Sequence, residues 1–113
     1  MYKRILSVQD VSCVGQCSNT VALPIISACG IETAILPSSI LSTHTAGFKN
    51  FTFCDMTNEF SGIIDHWKRE SMTFDCVYTG YLGSTAQVEY VIDIAESFLK
   101  RDGVVIGDPA MAD

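Results

Sequence analysis

Short apolar runs alternate with amphipathic stretches along the whole sequence, and no other feature limits the fold as much. Residues 3–8 (KRILSV), Thr33 to Leu36, Phe74 to Tyr78 and Val104 to Gly107 are brief and rich in branched or aromatic side chains, the pattern of strands. Helical stretches separate them. Ser18 to Cys29 carries Val21, Ile25 and Ala28 on one face and stops at Gly30. Pro24 lacks an N–H and crowds the preceding turn, so it predicts either a helix that begins near Thr20 or a kinked one. Phe60, Ile63, Ile64 and Trp67 fall at i, i+3, i+4 and i+7, a helix stripe in which Trp67 is expected to be core. The third helix has the plainest signals. Ser84 and Gln87 form a capping-box pattern. Val88, Val91, Ile92, Ala95, Phe98 and Leu99 make the expected buried stripe. Lys100 and Arg101 would lie in the last turn, with Gly103 at C′.

Strands that alternate with helices imply βαβ units, hence an α/β fold with a mostly parallel sheet and flanking helices. Phe51 to Phe53 reads as a short edge strand. Ligands of such sheets bind beyond the carboxyl ends of the strands. Four segments qualify as loops there: residues 9–17, 37–50, 79–84 and 108–113. Every polar residue of chemical interest lies in one of them.

The 113 residues suffice for one domain with a real core, and no repeat or linker divides them. A net charge of −6 argues against nucleic acid or an anionic membrane as partner. It leaves an anionic substrate open, because backbone donors bind phosphate even in an acidic protein. Ile5 and Leu6 are too short an apolar run for a signal peptide, and no window approaches a membrane span, so the protein is expected to be cytoplasmic. The five cysteines are irregularly spaced. Cys13 and Cys17 alone suggest a metal or redox pair, but no second pair accompanies them, and reduced, semi-buried thiols are the expected state.

Singly, each loop admits two readings. SVQDVSCVGQC has one glycine, so it is not a dinucleotide or Walker phosphate loop, and Asp10 either meets a ligand or holds a turn. STHTAG offers hydroxyls and the imidazole of His44, which suits a pocket or a solvated loop. Tyr81 in TGY either stacks on a flat ligand or packs. In DPAMAD, Asp108 and Asp113 flank a proline turn; they would hold Mg²⁺ directly or through water, or only cap a helix.

Together the segments SVQD, STHT-G-F, TGYLGS and DPxMxD, in this order and spacing, resemble the pyridoxal kinases of the ribokinase-like superfamily. The resemblance runs from about Lys3 to Asp113. It implies a Rossmann-like, ribokinase-like domain of which this is the amino-terminal part, and transfer of the ATP γ-phosphoryl group to the 5′-hydroxyl of pyridoxal, pyridoxine or pyridoxamine. Matched to the family's motifs, Asp10 and Thr45 should line the pyridine pocket, with Tyr81 beside the ring and His44 a lesser candidate. Asp108 and Asp113 should face the ATP phosphates and Mg²⁺, with a monovalent cation as a further option. A homodimer is also implied. Two departures stand out. Many vitamin B6 kinases have serine where this chain has Asp10, and an aspartate there resembles the hydroxymethylpyrimidine kinases. The family's catalytic base, in a GTGD segment, has no counterpart in these 113 residues, so the chain alone is expected to be inactive. A non-catalytic fragment that binds an aromatic ligand or dimerises is the remaining reading.

Overall fold

The apolar runs lie side by side as one five-stranded sheet in order β3-β2-β1-β4-β5. The structure, a computed structural model, describes residues 3–15, 19–80, 82 and 84–107. In chain order the elements are β1 (Arg4–Val14), α1 (Asn19–Ala28), β2 (Glu32–Thr43), β3 (Phe53–Asp55), α2 (Thr57–Arg69), β4 (Phe74–Thr79), α3 (Thr85–Phe98) and β5 (Leu99–Gly107). β1 pairs in parallel with both β2 and β4, and β4 with β5; only the short edge strand β3 runs antiparallel, against β2. The α/β, mostly parallel sheet expected from the alternation is the one observed.

α1 packs on β1 and β2, and α2 packs with α3; the right-handed crossover rule for parallel strands puts α1 on one face of this sheet and the α2–α3 pair on the other. The core forms on the second face. Leu6 and Val8 of β1, Leu36 of β2 and Phe74 and Val77 of β4 meet Phe60 and Ile64 of α2 and Val91, Ile94 and Phe98 of α3. Trp67 packs at the rim of this cluster, edge-on to Phe74 and Phe98 at 5.6 and 5.9 Å between centroids. Its expected core role holds. Outside the core, Arg4 Nε meets Glu32 Oε1 at 3.0 Å and ties β1 to β2. Lys68 Nζ meets Asp93 Oδ2 at 3.5 Å and ties α2 to α3.

Several boundaries differ from the sequence reading. β1 does not stop at residue 8, nor β2 at Leu36; both continue, to Val14 and Thr43. Gln9, Ser12, Ser38 and Ser39 are polar yet buried, because a hydrogen-bonded ladder between the two strands carries them. The edge strand sits two residues later, at Phe53–Asp55. Pro24 lies inside α1, where the helix loses one amide bond. Gly30, at φ +80°, does end that helix. The buried stripe of α3 is Gln87, Val91, Ile94 and Phe98, while Val88 and Ile92 are exposed. α3 also ends earlier, at Phe98, so Lys100, Arg101 and Gly103 belong to β5. There Lys100 Nζ reaches Asp75 Oδ1 of β4 at 3.4 Å. Cys13, Cys29 and Cys54 are exposed free thiols, and burial pushes the Cys76 thiol up from its ordinary pKa. Cys17 lies outside the described residues, and so does any pair it would form. Among the described residues no helix is long and apolar enough to cross a membrane.

Candidate functional site

β4 leaves the sheet early. Its last residue, Thr79, pairs with Val8, while β1 and β2 run on together and take β3 as a third strand. The result is a ribbon that projects past the carboxyl end of the central sheet, the place where α/β sheets bind ligands. At its root the register slips: Gln9 pairs with Pro37, but Val11 pairs with Ile40. Asp10 therefore faces two residues, Ser38 and Ser39, across a β-bulge. A bulge of this kind re-aims side chains, and bulges are common beside active sites.

A cavity of about 430 Å³ opens at this bulge. Asp10, Ser38 and Ser39 line its root; Leu41 of β2 and Phe53 of β3 supply apolar walls; Asp55 and Gln87 complete it. The volume falls in the range of small-molecule sites, about 300–1,000 Å³. Two carboxylates and no Lys or Arg are among these residues, so the cavity suits a ligand edge that is cationic or donates hydrogen bonds. Leu41 and Phe53 suit the face of a flat ring.

Local structure holds each polar wall. Asp55 ends β3 and its Oδ1 accepts from the Thr57 backbone N–H at 2.8 Å and from the Thr57 hydroxyl at 2.5 Å. Those two bonds, the hydroxyl first, keep the Asp55 carboxyl below its usual pKa. The Ser84 hydroxyl caps α3 by accepting from Gln87 N at 3.3 Å, as the sequence predicts. The Gln87 side-chain amide donates to the Ser38 carbonyl at 3.0 Å and to Thr57 Oγ1 at 2.9 Å.

Of the residues singled out in the sequence, Asp10 lines the cavity. His44 and Thr45 do not. They follow the end of β2, with Thr45 exposed. His44 N donates to Val14 O at 3.0 Å, and its ring stands edge-on to Phe48 at 4.9 Å. Its Nδ1 is buried without a hydrogen-bond partner. Gly80 stands close to the site: its N–H donates to Val8 O at 3.1 Å, and a Cβ there would meet the Gln9 side chain at 2.9 Å. Tyr81, Asp108 and Asp113 lie outside the described residues. Among the described residues no three His, Cys, Asp or Glu side chains gather as metal ligands. Sequence reasoning missed Ser38, Ser39, Leu41, Phe53, Asp55 and Gln87. Gln87 carried a signal, but it read as a helix cap.

No protein-family model matches the chain, and no curated protein sequence does. Solved structures do. A provisionally assigned phosphomethylpyrimidine kinase from Bacteroides thetaiotaomicron, crystallised with pyridoxal, is 40% identical and superposes with a TM-score of 0.91 over 100% of this chain and 39% of its own. Pyridoxal kinase from Lactobacillus plantarum is 32% identical, with a TM-score of 0.91 over 100% of this chain and 40% of its own. Pyridoxal kinase from Leishmania donovani, in complex with ADP and ginkgotoxin, is 25% identical, with a TM-score of 0.83 over 98% of this chain and 41% of its own. The chain thus spans about two fifths of the length of these structures.

Proposed function

From the premise that this chain belongs to the family of the pyridoxal kinases and phosphomethylpyrimidine kinases, with their ribokinase-like fold, we propose that the full-length protein phosphorylates the 5′-hydroxyl of pyridoxal and related B6 vitamers with ATP. One observation carries this reading: Asp10 sits at a bulge in a cavity with apolar walls, at the carboxyl end of the sheet. Asp10 accepts a hydrogen bond from the polar edge of the ring. Leu41 and Phe53 cover its apolar surface and exclude water. Thr45, with His44 beside it in sequence, and Tyr81 are the further vitamer contacts of this reading. Asp108 and Asp113 serve the nucleotide, its phosphates and Mg²⁺. The protein works in the cytoplasm as a homodimer.

The base that takes the hydroxyl proton belongs to the length that the relatives have and this chain does not span. Phosphoryl transfer needs that base, in-line positioning and charge neutralisation together. Residues 1–113 alone are therefore inactive. β5 supports this division. Val104, Val105 and Ile106 are half exposed, whereas parallel strands are ordinarily covered on both faces. The rest of the domain covers them.

Hydroxymethylpyrimidine is the second substrate to weigh, because Asp10 stands where many B6 kinases have serine. The two separate in one assay of the full-length protein with ATP and Mg²⁺. A higher kcat/KM for pyridoxal supports the proposal. A higher value for hydroxymethylpyrimidine moves the protein to the other branch, and no turnover of either rejects both.

A further inference from the structure

Gln87 is an amide placed where a helix would ordinarily bury an apolar side chain. It is 4% exposed, and it lines the cavity from the first turn of α3. A buried amide is costly unless its hydrogen bonds are made. Its two N–H groups have two partners, the Ser38 carbonyl and Thr57 Oγ1.

These partners fix the direction of the network. A carbonyl only accepts, so the amide nitrogen must face Ser38. The Thr57 hydroxyl accepts from Gln87 and has a single proton left to give, which goes to Asp55 Oδ1 at 2.5 Å. Polarity therefore runs one way, from Gln87 through Thr57 to the Asp55 carboxylate. Its two ends, Ser38 and Asp55, are both cavity walls, and Ser38 is one of the two residues that oppose Asp10 across the bulge. One amide thus sets the distance between α3, β2 and the start of α2 around the ligand space.

We propose that Gln87 is a positioning residue for the ligand cavity: it holds the bulge opposite Asp10 and the Asp55 carboxylate in the geometry that receives the ring. The inference rests on the vitamer reading given above. Gln87 lines the cavity itself, and its effect on the reaction passes through the two other walls it holds, Ser38 and Asp55.

The test uses the full-length protein and follows vitamer KM, ATP KM and kcat beside thermal melting. Gln87→Met keeps length and volume but removes both N–H groups. Thr57→Val breaks the same relay one residue on, and Thr57→Ser retains it. Gln87→Met and Thr57→Val should each raise the pyridoxal KM about tenfold, the scale of one or two net hydrogen bonds. ATP KM should stay at the wild-type value, and Thr57→Ser should behave as wild type. A residue that only stabilised the fold would lower the melting temperature and leave the KM of the folded fraction alone. A wild-type pyridoxal KM in folded Gln87→Met and Thr57→Val therefore overturns the proposal. Should Gln87→Met fail to fold, the Thr57→Val and Thr57→Ser pair decides by the same criterion. Wild-type protein that turns over no pyridoxal would mark a failure of the substrate reading instead, and this inference would fall with it.

Discussion

Gly15 lies against the imidazole of His44, so close that a Cβ at position 15 would collide with His44 Nδ1. The same glycine has φ +124°, where L side chains are strained. The pair closes the far end of the β1–β2 ribbon, beside the His44 N–H bond to Val14 O. Both reasons for glycine act at one site. Gly15→Ala should cost about 1–3 kcal/mol from backbone strain, and more from the collision. Adding His44→Ala should return the collision part, so the double variant loses less than the sum of the single ones. Urea unfolding of the four proteins measures this, and strict additivity would show that the two residues do not meet.

The phase of α3 gives a second test. Phe98 is buried against Trp67 and Phe74, whereas Ile92 is exposed. Phe98→Ala should cost about 3–5 kcal/mol. Ile92→Ala should stay within about 0.5 kcal/mol of wild type. Comparable losses in calorimetry would restore the helix phase read from the sequence.

That phase error shows where the sequence was legible and where it was not. Apolar spacing marked all three helices and the parallel sheet, because cores select side chains by period. Ser84 and Gly30 read correctly as cap and stop, since each acts through its own backbone neighbourhood. Asp10 was marked as a candidate by its place after an apolar run. The ribbon was hidden. Gln9, Ser12, Ser38 and Ser39 look like loop residues, and only pairing between distant segments makes them strand. Val88 and Ile92 outbid Gln87 for the buried face on hydropathy alone, yet Gln87 takes it through bonds to Ser38 and Thr57. Asp55 and Phe53 enter the site through the antiparallel edge pairing, which no local pattern announces.

Asp55 should also leave a signature in acid. Its folded pKa lies below the unfolded value of about 3.9, because the Thr57 hydroxyl and N–H bind the anion. Sign follows from linkage: a depressed carboxylate stabilises fully above its unfolded pKa and loses that contribution as pH falls through the lower folded value. Asp55→Asn should therefore flatten the fall in stability below about pH 4 and leave the slope above pH 6 unchanged. Melting temperatures from pH 2.5 to 7 check it. An unchanged acid slope would mean that the Asp55–Thr57 bonds do not favour the anion.

Asp10→Asn should weaken the vitamer and spare the nucleotide. A hydrogen bond to a charged partner is worth about 1.5–3 kcal/mol. The pyridoxal KM should thus rise between about tenfold and a hundredfold in the full-length enzyme, with ATP KM unchanged. Thr45→Ala, which removes a neutral donor, should cost less, about 0.5–1.5 kcal/mol. Steady-state kinetics on the two variants ranks them, and a larger effect at Thr45 would move the pocket towards the end of β2.

The most direct measurement is a crystal structure of the full-length protein with pyridoxal. The ring should lie in the cavity between Leu41 and Phe53, with a polar ring atom within hydrogen-bond distance of an Asp10 carboxylate oxygen. A ring bound away from the β1–β2 bulge, with Asp10 turned to solvent, would contradict the account.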